Sequence, residues 1–69
     1  MSRVTAPQAA EILSTSRVTV FRWVDDGLLS ADRVTRRHII MIDVDELKRF
    51  AKNNGYGFNE KLAEQYAAE

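Results

Sequence analysis

The chain has 69 residues, ten acidic and ten basic side chains, one histidine and no cysteine. That is one small domain, without a disulfide, a thiolate nucleophile or a cysteine-based zinc site. Its longest apolar run, Ile39–Ile42, is far too short to span a membrane, and the opening MSRVTAPQ lacks a signal-peptide core, so a cytoplasmic protein is expected.

Thr5 has the character of a helix N-cap. Pro7 suits a first turn, where its missing N–H costs nothing, and Gln8 stands at capping-box spacing from Thr5. Ala9, Ile12 and Leu13 then share one face, and this first helix should end near Ser14. Ser16 caps a second helix whose inward face is Val20, Trp23 and Val24, at i, i+3 and i+4. Gly27 ends it, because glycine takes the left-handed conformation at little cost. Two short helices separated by Ser14–Ser16 make a helix-turn-helix pattern.

A β-hairpin follows, roughly residues 30–35 and 38–42, with its tip at Thr35, Arg36 and Arg37. Alternation places Ile40 and Ile42 on one face and Ile39 and Met41 on the other. Asp43 caps a third helix, with Glu46 at capping-box spacing. Leu47, Phe50 and Ala51 form its apolar face, and Asn53-Asn54-Gly55 ends it. In the remaining YGFNEKLAEQYAAE a short helix from Asn59 would align Phe58, Leu62 and Tyr66.

The neutral total conceals an asymmetry. Residues 3–37 hold six arginines against four acids, whereas from Asp43 onward six acids face Arg49 and three lysines. Such a distribution can conceal a local basic face; two solvated surfaces of mixed charge would explain it equally well.

The order helix, turn, helix, hairpin, helix is that of a small winged helix-turn-helix, mainly α with a small β-hairpin. The stretches QAAEIL, SRVTVFRWVDDGLL and IDVDELKRF, in this order and spacing, resemble the excisionase and MerR-type winged helix-turn-helix DNA-binding domains from about Val4 to Ala51. The resemblance implies that the second helix enters the major groove and that the hairpin wing follows the phosphate backbone.

On that basis the recognition helix offers Ser16, Arg17, Val18 and Thr19 at its start, then Phe21 and Arg22. Arg17 can pair bidentately with guanine. Thr19 can touch a phosphate or a thymine methyl, Phe21 a sugar or thymine methyl, and Arg22 a phosphate. The wing offers Arg33, Thr35, Arg36 and Arg37, the arginines as phosphate contacts. Without DNA the same residues would be a solvated helix surface and a charged hairpin tip that keeps a strand edge from aggregating. Trp23 belongs to the core by its spacing. His38 has no partner set for metal or catalysis. The wing departs from the family in lacking glycine at its tip and in having an apolar second strand, Ile39-Ile40-Met41-Ile42.

The expected protein is a duplex DNA binder without enzymatic activity, cofactor or small-molecule ligand. Residues 1–54 form the DNA-binding domain and 55–69 a tail. Two roles fit: an excisionase-like factor that shapes DNA for a recombinase, and a minimal transcriptional regulator of a bacterium, phage or mobile element. A protein-interaction module that keeps the fold without DNA is the alternative, motivated by zero net charge and the acidic second half. The outward pair Ile39 and Met41 needs a cover. Either the tail folds back over it, or the tail stays loose and a second copy on an adjacent DNA site meets it. The sparse end Ala67-Ala68-Glu69 favours the second arrangement, a monomer in solution that binds DNA cooperatively.

Overall fold

The computed structural model describes residues 3–34 and 39–67, with the backbone alone at 33, 34 and 39. In chain order these are strand β1 (Arg3–Thr5), helices α1 (Ala6–Ile12) and α2 (Arg17–Asp25), strands β2 (Asp32–Val34) and β3 (Ile39–Asp43), and helices α3 (Val44–Asn54) and α4 (Glu60–Ala67). The architecture is the expected one, mainly helical with a small antiparallel hairpin, β2–β3: a winged helix-turn-helix.

Local chemistry sets the helix starts. Thr5 and Gln8 form the reciprocal capping box: the Gln8 N–H donates to Thr5 Oγ1 at 3.3 Å and the Thr5 N–H to Gln8 Oε1 at 2.9 Å. Asp43 caps α3 by accepting from the N–H of Asp45 at 2.9 Å. Glu46, expected to reach back to that cap, instead pairs with Arg49 at 3.3 Å.

The helix ends follow one rule. Beyond α2, the Gly27 N–H donates to Val24 O and the Leu28 N–H to Trp23 O, with Gly27 at φ 76°. This is a Schellman closure. Beyond α1, Ser14 takes the same position at φ 57°, while its own N–H donates to Glu11 O and that of Thr15 to Ala10 O. The tight turn of the helix-turn-helix is thus built on a serine where a glycine would sit without strain.

The sheet holds one strand more than expected. β1 pairs antiparallel with β3 (Val4 opposite Ile42), and β2 pairs with its other edge (Arg33 opposite Ile40), giving the order β1-β3-β2. The apolar strand Ile39–Asp43 is therefore the central one, which is why it carries no row of arginines. Ile40 and Ile42 face the core as expected. Met41 is half-buried beside Ser30, Ala31, Asp32 and Glu46, the approach to β2 and the first turn of α3. The tip residues Thr35, Arg36 and Arg37, with His38 and the Ile39 side chain, lie outside the described residues.

The core joins Val4, Ile12, Val20, Ile42 and Leu47, all fully buried, to Trp23, Phe50 and Ala51. Trp23 lies 4.7 Å from Phe50 and 5.0 Å from Tyr56 between ring centroids, within the range of favourable aromatic pairs.

The tail folds back, but not onto Met41. Asn59 caps α4 by accepting from the Leu62 N–H at 3.1 Å, and its own N–H donates to the carbonyl of Ile12, also at 3.1 Å. That carbonyl ends α1 and has no partner within the helix. Ala63 is buried, and Phe58, Leu62 and Tyr66 pack against the core. The Tyr66 hydroxyl donates to the Glu11 carboxylate. Lys48 on α3 meets Glu60 at 2.7 Å; their hydrogen bond, then their charge attraction, raises the Lys48 pKa and lowers that of Glu60. α4 thus braces the outer side of α1, and the loose tail favoured by the sequence gives way to a docked one.

Truncation after Asn54 should therefore lower the melting temperature. Loss of even ~2 kcal/mol corresponds to about 8–16 °C in a domain this size. Unchanged melting by circular dichroism would show that the tail contributes nothing to the fold.

Candidate nucleic-acid interface

α2 spans nine residues, and burial of Val20 and Trp23 fixes its rotation about its own axis. At about 100° per residue, the direction opposite these two is occupied by Val18 and, two turns on, Asp25. Arg17 and Phe21 lie on one flank of Val18, and Arg22 on the other. Arg17, Val18, Phe21 and Arg22 are all exposed, Val18 at 63% and Phe21 at 36%. The sequence-based choice of these four thus corresponds to one continuous outward arc. Among the described residues no ion pair engages Arg17 or Arg22.

Ser16 and Thr19 stand differently. The Thr19 N–H donates to Ser16 Oγ at 3.3 Å, and the two hydroxyls lie 3.0 Å apart. Ser16 is exposed and Thr19 half-buried. Both hydroxyls are committed to the helix start, and Thr19 sits at the margin of the arc. The two residues hold the first turn in place beneath Arg17 and Val18.

On the wing, the backbone of Arg33 is paired in the ladder opposite Ile40; Thr35, Arg36 and Arg37 lie outside the described residues. Arg3 is a cation left out of the sequence-based set. It reaches across β3 to Asp32 at 3.1 Å and ties the two edge strands together. The sequence reading also passed over Leu28, 63% exposed just past the end of α2. Its neighbour Leu29 is the one buried. Asp25, on the arc but far from the helix start, is engaged in an interaction of its own.

Among the described residues no cluster of three or more His, Cys, Asp or Glu could hold a metal ion, and no helix is long and apolar enough to cross a membrane.

A profile describing helix-turn-helix domains matches residues 4–55. The chain belongs to the helix-turn-helix domain family. The match covers β1 through α3, and α4 lies beyond it. Within this helix-turn-helix domain α2 is the second helix, the one that in such domains lies in the major groove with its first residues at the base edges. The chain is also similar to uncharacterized proteins of Mycobacterium bovis and of two strains of Mycobacterium tuberculosis. Each is 42% identical over 40 residues, 58% of this chain and 35% of the relative. The chain thus spans about a third of the length of those curated relatives. No solved structure gives a significant match.

If Ser16 serves the cap, Ser16→Ala should destabilise the domain by about 1 kcal/mol, lowering its melting temperature by roughly 4–8 °C. A variant that melts like the parent would mean that the hydroxyl is free for another task.

Proposed function

We propose that the protein binds duplex DNA sequence-specifically and without catalysis. The observation that carries this reading is the outward arc of α2, with two guanidinium groups free of ion pairs among the described residues and two apolar side chains between them. The major groove admits an α-helix. With α2 in it, Arg17 takes guanine O6 and N7 bidentately. Arg22, more than a turn further along, takes a phosphate. The wing arginines Arg33, Arg36 and Arg37 take backbone phosphates, which fix register without reading sequence.

In the cell this is the work of a bacterial, phage or mobile-element protein, acting as an excisionase-like recombination factor or a minimal transcriptional regulator. Cooperative arrays that bend DNA belong to the first role, and a single operator overlapping a promoter to the second. A recombinase, or further copies on adjacent sites, are the partners of the first.

Zero net charge and the apolar centre of the arc favour a second reading, a protein-interaction module that retains the fold without DNA. A mobility shift on bulk duplex at low and moderate salt separates the two. DNA binding weakens steeply as salt rises, whereas an interaction module shifts nothing at either concentration.

Two substitutions test the contact assignments on a site selected from a random duplex library. Arg17→Ala should relax discrimination at one guanine by roughly 1–3 kcal/mol; equal weakening on every sequence would assign Arg17 to a phosphate instead. Joint replacement of Arg36 and Arg37 by alanine should weaken binding uniformly and reduce the slope of log K against log salt by about two. An unchanged slope would remove the wing tip from the interface.

A further inference from the structure

The centre of the outward arc is not a cation. It is Val18, with Phe21 beside it on the next turn and the guanidinium groups of Arg17 and Arg22 on the two flanks. A single exposed apolar side chain would call for no explanation. Here two share one arc at the start of the second helix, between cations, and Val18 is the most exposed member of the pair. Alanine, lysine or glutamate at position 18 would favour the helix more, since β-branched residues lose rotamer freedom there.

The flanking cations specify the occupant. A polyanion held by Arg17 at a base edge and by Arg22 at a phosphate would press whatever lies between those two contacts against Val18. In duplex DNA that is the floor of the major groove. Every base edge there presents hydrogen-bonding groups, and the one apolar group is the C5 methyl of thymine, which 5-methylcytosine shares. A polar edge against Val18 would lose water without gaining a partner, whereas a methyl group there loses apolar surface to water in a favourable exchange. Of the other side chains in this turn with methyl groups, Val20 is fully buried, and Thr19 is half-buried with its hydroxyl against that of Ser16.

We infer that Val18, with Phe21 packed alongside, reads a 5-methyl pyrimidine in the major groove, and that in ordinary DNA this base is a thymine near the guanine contacted by Arg17. The inference rests on the proposed DNA binding and adds a specificity-determining residue and its ligand chemistry to it.

The test uses the full chain and the duplex selected from the random library. Thymines are replaced by uracil one at a time, which removes the methyl and leaves the pairing intact, and Kd is measured by fluorescence anisotropy. Burial of one methyl is worth about as much as one methylene, so binding should weaken roughly fourfold at one position. Val18→Ala, placed on an exposed helix surface, should bind the thymine duplex about as weakly as the parent binds the uracil one, and should not distinguish the two. If no uracil matters but 5-methylcytosine in place of one cytosine tightens binding of the parent and not of Val18→Ala, the methyl chemistry stands with cytosine as its source. Insensitivity to every methyl change, or uracil sensitivity that persists in Val18→Ala, overturns the assignment while leaving DNA binding intact. A parent protein that binds no duplex overturns the proposed function, and this inference with it.

Discussion

The packing of Trp23 against Phe50 and Tyr56 is the contact on which the arrangement depends. A nine-residue helix cannot hold its own orientation in water, since short helices are marginal without tertiary packing. The indole sets the rotation of α2, and with it the side chains that point away from the protein. Val20, fully buried one turn earlier, gives the same rotation a second fixed point. The outward placement of Arg17, Val18, Phe21 and Arg22 follows from these two burials. A rotation of about 100°, one residue's worth, would carry Arg22 or, in the other sense, Phe21 toward the core and expose Val20 or Trp23.

A domain this small has little apolar surface to bury, and backbone pairing closes the ends and edges of several elements. β3 is bonded along both edges. The two helices of the helix-turn-helix both end in closures that return N–H groups to the last carbonyls. The C-terminal end of α1 receives the Asn59 N–H from a segment 47 positions further along the chain. The residues beyond α3, outside the matched family region, are thus part of the support for the first helix, which in turn carries α2. This links the tail to α2 through α1.

Much of this was legible in the sequence where short-range chemistry decides the outcome. Thr5, Ser16 and Asp43 all cap helices, Gly27 and Gly55 both take positive φ at helix ends, and the apolar spacing identified the buried faces of α2 and α3. β1 escaped because three residues, Arg3-Val4-Thr5, are too few for an alternation to register, and only pairing with β3 makes them a strand. That omission hid the second pairing partner of Ile39–Asp43, which is bonded along both edges. The tail's apolar face at Phe58, Leu62 and Tyr66 was visible as a face, but its destination depended on the position of the Ile12 carbonyl and of Glu11, which no local pattern encodes. The exposed surface of α2 was legible because it is the complement of an apolar periodicity. The commitment of Thr19 to the Ser16 cap was not, since a hydroxyl at that spacing serves a cap or a ligand equally well.

The measurement closest to the central claim is a backbone amide titration by NMR with the selected duplex. The largest shift changes should fall on residues 16–22 and on the wing, while α4 and the exposed side of α3 stay near their free positions. Changes concentrated on residues 60–67, with α2 unaffected, would contradict it and move the binding surface to the opposite half of the chain.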